Sequence, residues 1–168
     1  SGAKRCWPLP PPPRPSPVYA DSTVFLGQVQ GLGWLLDVAP HPDFARNGWI
    51  YLHHTDRCTD CNALSRKSKR PVSMNRLIRG RIRDGAWVDQ EILWQADPET
   101  YTDTSDLTAG GRIAFDGRGH VFFSVGMKAP LEFLGIQDLS LPYGKIHRLH
   151  DDGRVPADNP FVKTPGAL

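Results

Sequence analysis

The chain has 168 residues, of which 39% are hydrophobic, and its 20 lysines and arginines nearly balance 18 aspartates and glutamates. This length suits one domain, and the balanced charge gives no reason to expect nucleic acid or an anionic membrane as a partner. Sixteen glycines and sixteen prolines favour turn-rich β structure over helices. No apolar run approaches the roughly 18 residues of a membrane-spanning helix, so no membrane span is predicted.

The N-terminal part of the chain is rich in proline. Residues 8–17 read PLPPPPRPSP, a composition that excludes helix or a central strand and predicts extended polyproline II. We therefore expect residues 1–20 to form a stiff arm that acts as a spacer or strap. The remaining residues, 21–168, are expected to form a β domain.

After the arm, the chain is a series of short segments with high β propensity, separated by turns. The predicted strands are 24–26, 34–39, 49–53, 76–83, 86–88, 91–94, 113–115, 121–125 and 145–149. Asn47-Gly48 predicts a tight hairpin turn, and Asp84-Gly85 predicts another. Residues 66–70 (RKSKR) are interpreted as a solvated loop and residues 95–110 as a long polar loop. Residues 130–134 are interpreted as one helical turn that begins with proline.

Two parts of the chain repeat each other at a distance of about 70 residues. Residues 39–52 are echoed by 114–125, and residues 77–85 by 145–153. Each copy reads as strand, turn, strand, long loop, strand and Asp-Gly turn. Because such repeats bury their faces by stacking on one another, the pattern predicts an all-β fold of the β-propeller type. Closed propellers typically have about 4–8 blades, and this chain holds about two to three.

Two cysteines follow a pair of histidines. Cys58 and Cys61 lie in the sequence CTDC, just after His53 and His54. These residue types suit a zinc site, although no second Cys-x-x-Cys pair is present. A disulfide in an exported protein is the simpler alternative, and it would leave Cys6 over. A thioredoxin-like redox pair would need a βαβ context that the pattern does not offer.

Seven longer segments carry motifs that occur together in one known family: 31–44, 47–52, 110–115, 121–126, 137–140, 144–149 and 152–161. In this order they resemble the soluble quinoprotein sugar dehydrogenases. This is the glucose/sorbosone or aldose dehydrogenase family, which uses pyrroloquinoline quinone (PQQ). The resemblance implies a six-bladed propeller of four-stranded antiparallel sheets, PQQ and calcium as cofactors, and a periplasmic or extracellular location.

The resemblance also implies where catalytic residues would lie, and three of them are replaced. In the family, a histidine deprotonates the C1 hydroxyl of the sugar while hydride passes to the quinone. That histidine lies four residues before the position of Arg112, which is retained, and here it is Thr108. The family's glutamine near the sugar corresponds to Leu32, and the aspartate that supports the base corresponds to Met127. A threonine hydroxyl does not act as a base near neutral pH, so we expect the chain to keep the family's fold but to lack its catalytic site.

Acidic residues near the C-terminus provide one further candidate. Asp151, Asp152 and Asp158 suggest calcium, since the family binds calcium beside the quinone. An Asp-Asp-Gly turn that closes a hairpin is the commoner reason for such a sequence.

Three functions remain open on the sequence alone. The chain can be a degenerate propeller kept as a structural or interaction module, covered by another protein chain or by the missing blades. It can instead be part of an active PQQ- and calcium-dependent aldose dehydrogenase, completed by further blades and an unusual base. Third, Cys58 and Cys61 with His53 or His54 can form a metal or redox site on an inert propeller.

Overall fold

A computed structural model of the chain describes residues 22–25, 28–128 and 135–167. The predicted proline-rich arm, Cys6 and the predicted helical turn at 130–134 lie outside the described residues. What is described is built from antiparallel sheets joined by turns and short helices.

The strands form three antiparallel sheets in which sequence neighbours are also neighbours in space. The first sheet pairs β1 (Ser22–Phe25) with β2 (Gln28–Gly31). The second has four strands: β3 (Leu35–Pro40), β4 (Ile50–Cys58), β5 (Val72–Arg83) and β6 (Ala86–Gln95). The third has three: β7 (Gly110–Phe115), β8 (His120–Val125) and β9 (Lys145–His150). The helices are α1 (Phe44–Asn47), α2 (Ala63–Ser68) and single 3-10 turns at Pro98–Thr100, Asp106–Thr108 and Gly135–Gln137.

The two copies of the internal sequence repeat form the two larger sheets. The unit β3–β4–β5 is followed by Asp84-Gly85, and the unit β7–β8–β9 by Asp152-Gly153. The first strands of the two units run beside each other, and a carboxylate oxygen of Asp37 accepts a hydrogen bond from the Ile113 N–H at 2.8 Å. Successive up-and-down sheets whose first strands adjoin are the blades of a propeller. The prediction of an all-β, partial propeller is confirmed.

Three local predictions differ from the structure. Asn47-Gly48 does not form a two-residue hairpin, because Gly48 (φ 68°) donates its N–H to the Phe44 carbonyl and ends α1. Residues 66–68 of the basic run are helical, because the side chain of Asn62 accepts a hydrogen bond from the Ser65 N–H and caps α2. The strand β6 is continuous, and it accommodates Asp89 (φ 54°) through a shift in its register with β5.

The apolar core lies between the two larger sheets. Tyr51 of β4 meets Phe115 of β7 edge to face, with ring centroids 4.9 Å apart. His53, two residues further along β4, meets Phe123 of β8 in the same way at 5.4 Å. The fully or nearly fully buried side chains of this layer include Tyr51, Leu77, Val121, Phe123, Val125 and Leu149. This packing fixes how the ends of β4, β5 and β8 lie under the candidate site.

Candidate functional site

The three substituted positions of the family pattern lie at one end of the two blades. Thr108 ends the 3-10 turn before β7, and its hydroxyl donates a hydrogen bond to the Met127 carbonyl just after β8, at 2.7 Å. Leu32 is fully buried before β3. Its neighbour Gly33 donates its N–H to a carboxylate oxygen of Asp106 at 2.7 Å. The structure therefore brings the surroundings of all three positions together around Asp106.

The turn that carries Thr108 lies directly against the end of β8, and glycines allow this approach. The N–H of Gly126 donates to the Ala109 carbonyl at 2.8 Å. A Cβ on Gly126 would lie 2.0 Å from the Thr108 carbonyl oxygen and 2.8 Å from the Gly110 nitrogen. Gly110 itself has φ 74°, in the left-handed region. A larger residue at 126 would displace the backbone at position 108.

Asp106 is the hydrogen-bond centre of this end of the blades. It is 1% exposed, and its carboxylate accepts hydrogen bonds from parts of the chain that are distant in sequence. Thr55 of β4 donates from its hydroxyl at 2.5 Å, and Ser73 of β5 from its hydroxyl at 2.9 Å. The Lys128 ammonium lies 3.1 Å away. With the N–H of Gly33, one buried carboxylate joins both blades to the turn that carries Thr108.

Lys128 is a fully buried partner of Asp106. Its Nζ donates to the carbonyls of Ser73 at 2.9 Å and Thr104 at 3.0 Å. Burial lowers the pKa of Lys128, and the charge and hydrogen bond of Asp106 act in the opposite direction. The ammonium is held among oxygen atoms and does not face solvent. Sequence reasoning missed this pair, because no local pattern links two residues so far apart.

His53 is a further buried polar residue at this end of the blades. One amide N–H of Asn75 points to His53 Nε2 at 2.9 Å, and the other donates to the Ala109 carbonyl at 3.0 Å. Nε2 is therefore the acceptor, and the ring proton lies on Nδ1. Burial lowers the pKa of His53 to about 4, so the imidazole is neutral at pH 7. It supports the backbone beside Thr108.

The two cysteines are joined to each other. Cys58 and Cys61 form a disulfide with their Cα atoms 5.9 Å apart, so their sulfurs are not the thiolates that zinc binds. His53 is occupied by Asn75, and His54 Nδ1 lies 3.2 Å from the Thr55 carbonyl. No group of three or more His, Cys, Asp or Glu within the described part of the chain is arranged to hold a metal ion. The structure forms the alternative disulfide and does not assemble the zinc site.

Arg112 is the exposed cation of this region. It lies on β7 beside Asp37 of β3, with 3.6 Å between Nη1 and Oδ1, yet its side chain is 87% exposed. Its backbone is fixed, because the Arg112 N–H donates to the Ser124 hydroxyl at 3.1 Å. A loosely paired guanidinium on a fixed strand can meet an anionic group of a ligand.

The three C-terminal aspartates do not form a shared site. Each of Asp151, Asp152 and Asp158 pairs with a different basic side chain, at distances of 2.7–3.1 Å. The respective partners are His41, Arg154 and Arg148. These pairs fasten the turn after β9, which agrees with a turn rather than a calcium site.

Comparison with known proteins agrees with this architecture. Residues 19–168 match the model of the glucose/sorbosone dehydrogenase family. Over 139 residues the chain is 33% identical to the aldose sugar dehydrogenase YliI of Escherichia coli (strain K12). The aligned region covers 82% of this chain and 33% of that protein. No helix within the described residues is long and apolar enough to cross a membrane.

Solved structures show the same likeness. The apo form of the soluble aldose sugar dehydrogenase from Escherichia coli superposes with a TM-score of 0.67 at 30% identity, covering 84% of this chain and 37% of that one. The PQQ-bound aldose sugar dehydrogenase from Streptomyces coelicolor superposes with a TM-score of 0.54 at 22% identity, over 84% and 40% of the two chains, which bears on the fold alone. The chain spans about a third of the length of the relatives it matches. The chain belongs to the glucose/sorbosone dehydrogenase family.

Proposed function

We propose that this chain is part of a sugar-dehydrogenase-like propeller that serves as a structural or interaction subunit. The residues around Thr108, here called the Thr108 corner (Asp106, Thr108, Met127 and Lys128), provide no base that removes a proton from a sugar. One observation carries the proposal. The side chain at the position of the family's base is a hydroxyl, and it donates its proton to the Met127 carbonyl at 2.7 Å. A general base must accept a proton and have a pKa near the working pH, and the Thr108 hydroxyl meets neither condition.

The neighbouring titratable groups do not replace the missing base. The carboxylate of Asp106 is 1% exposed and is surrounded by donors, including the Lys128 ammonium. Lys128 is fully buried, and its Nζ already donates to the carbonyls of Ser73 and Thr104. His53 is fully buried, and its Nε2 already accepts a hydrogen bond from Asn75. Asp106, Lys128 and His53 are thus each committed to contacts that hold the blades together.

The residues of this corner do not fit the cofactors that the family implies. Calcium takes about 6–8 oxygen ligands, mostly carboxylates and carbonyls, and the described residues include no cluster of acidic side chains that could hold it. PQQ carries carboxylate groups, and the exposed guanidinium of Arg112 is a single suitable partner. The described residues of this corner therefore form a complete site for neither group.

The second candidate is an active aldose dehydrogenase completed by the remaining blades. Arg112 favours it, since a guanidinium that is 87% exposed and only loosely paired with Asp37 can meet an anionic cofactor. The chain spans about a third of its relatives, so a base and further cofactor contacts can come from other blades.

The proposal includes a partner that covers the open sides of the blades. Leu35 and Val38 on β3 are 58% and 50% exposed, and Ile146 on β9 is 77% exposed. Apolar strand residues of this kind favour burial against another sheet. The partner is either the missing blades or another protein chain. A periplasmic or extracellular location is part of the same proposal, supported by the disulfide between Cys58 and Cys61.

The test is a titration of the purified protein, in its native assembly, with PQQ and calcium. PQQ absorbance would report binding, and aldose-dependent reduction of an artificial dye would report turnover. We expect no aldose-dependent reduction. Turnover by the unaltered protein would overturn the proposal. If that turnover survives Thr108→Val, which removes the hydroxyl at nearly constant volume, the base lies elsewhere and the second candidate is correct.

A further inference from the structure

The ammonium group of Lys128 lies in a cage of oxygen atoms. Nζ is 2.9 Å from the Ser73 carbonyl, 3.0 Å from the Thr104 carbonyl and 3.1 Å from the Asp106 carboxylate. The Thr102 carbonyl lies slightly further away, at 3.4 Å. An ammonium has three N–H donors, so the three nearest oxygens satisfy it.

The cage is closed and electrically balanced. The side chains of Lys128 and Asp106 are both 0% exposed, and they carry opposite charges. A buried ammonium without a counter-charge is costly, and removing one partner of a buried pair leaves the other uncompensated. The oxygens are also fixed, because Asp106 is held by Thr55 and Ser73, and Ser73 lies on a central strand. Main-chain carbonyls and a carboxylate are the same ligand types that bind hard cations.

The cage reinforces a contact that the main chain also makes, since the Ser73 N–H donates to the Thr102 carbonyl at 2.9 Å and the Thr102 N–H donates to the Ser73 carbonyl at 3.3 Å. Ser73 belongs to β5, whereas Thr102 and Thr104 belong to the loop before Thr108. Lys128 follows Met127, whose carbonyl accepts the Thr108 hydrogen bond. One cation therefore fastens the end of β8, the strand β5 and the loop that leads into position 108.

We propose that Lys128 is a built-in cation that positions the 102–108 loop, and that removing its side chain opens a site for a small N–H-donating cation in the same cage. Lys128 has this role whether or not the propeller oxidises sugars. Ammonium and methylammonium carry the charge and donors that the cage requires. Tetramethylammonium has the same charge but no N–H donor, so it provides a control at equal ionic strength.

The experiment compares thermal unfolding of full-length wild-type protein and Lys128→Ala in these three chloride salts. We expect Lys128→Ala to unfold at a lower temperature than wild type. Methylammonium should then raise its midpoint by at least about 2–4 °C over tetramethylammonium, a shift that a small change in free energy produces in a domain of this size. Wild-type protein should show no such difference, since its cage is filled.

Two variants make the comparison specific. Lys128→Met keeps the aliphatic stem and fills the cavity, so methylammonium should not rescue it. Lys145→Ala removes another lysine whose Nζ donates to two carbonyls, those of Ile136 and Tyr143, both at 2.8 Å, but which is only partly buried. It should respond equally to all three salts.

Equal responses of Lys128→Ala to methylammonium and tetramethylammonium would overturn the proposal. If Lys128→Ala does not accumulate as folded protein, refolding from urea in the same salts gives the answer. Recovery with methylammonium alone supports the built-in cation, and failure in both salts contradicts it.

Discussion

Replacing Gly126 with alanine tests whether the turn at position 108 is held by direct backbone contact. The added methyl carbon would lie 2.0 Å from the Thr108 carbonyl oxygen and 2.8 Å from the Gly110 nitrogen. These are backbone atoms, so no side-chain rotation can relieve the overlap. The turn must move away from β8, and the hydrogen bond from the Gly126 N–H to the Ala109 carbonyl, 2.8 Å long, must stretch or break.

The expected cost follows from two contributions. Overpacking a well-packed site costs about 1–3 kcal/mol, and a lost backbone hydrogen bond costs about 1 kcal/mol. We therefore expect Gly126→Ala to lower the free energy of unfolding by about 3 kcal/mol. Urea unfolding of the full-length protein, followed by tryptophan fluorescence, measures this as a lower midpoint at a similar slope.

The matched control is Gly117→Ala. Gly117 has φ 68°, and a Cβ there would have no atom within 4 Å. Only the left-handed backbone then opposes alanine, at a cost of about 1 kcal/mol. If the two variants were equally stable, close contact between the turn and β8 would not be what fixes position 108.

Three further predictions concern the buried groups and the disulfide. Asp106→Asn should lower the free energy of unfolding, measured in urea, by about 3–5 kcal/mol, because it leaves a buried ammonium without its counter-charge. A decrease of less than about 1 kcal/mol would show that the pair is not buried in solution. Burial lowers the pKa of His53 and of His147 from 6.5 to about 4, so the unfolded chain binds more protons between these values, and stability should fall on acidification from about pH 6.5 to about pH 4. The loss is on the order of 3 kcal/mol per histidine at most, and His147→Gln should flatten the pH profile; an unchanged profile would contradict the assignment. Replacing both Cys58 and Cys61 with serine should lower the free energy of unfolding by no more than about 2 kcal/mol, because the disulfide closes a very short loop. Thermal melts compare the double variant with the oxidised protein, and a much larger loss of stability would show that the bridge holds the blade together.

The sequence predicts the blades well because their signals are local. Alternating β-prone residues and Asp-Gly turns arise within a few neighbouring residues, and the internal repeat presents them twice. The structure places Asp84-Gly85 and Asp152-Gly153 after the third strand of each unit. The exception, Asn47-Gly48, has the residues of a hairpin turn. It ends a helical turn instead, because tertiary context selects between two uses of a left-handed glycine.

The candidate site could be predicted only in part. The family pattern leads to Thr108 and Met127, and the structure joins them by a hydrogen bond. The pair of Asp106 and Lys128 has no signal in the sequence, since an aspartate after serine and a lysine after methionine fit any surface loop. The pair exists because two blades and a loop meet around it, which is a property of tertiary packing.

The buried polar residues next to the site do leave a weak pattern in the sequence. His53 and Thr55 alternate on β4, and Ser73 and Asn75 alternate on β5, and all four are 3% exposed or less. Polar residues at every second position of two adjacent strands suggest a buried hydrogen-bond network. The pattern alone does not say which loop such a network holds.

The most direct test of the central claim is the rate of aldose-dependent dye reduction by the full-length protein in its native assembly, supplied with PQQ and calcium. We predict no rate above the background without aldose, because the Thr108 hydroxyl donates to Met127 and the side chains of Asp106, Lys128 and His53 are held by other partners. A rate that rises with aldose concentration and falls when the C1 hydrogen is replaced by deuterium would show hydride transfer and would contradict this account.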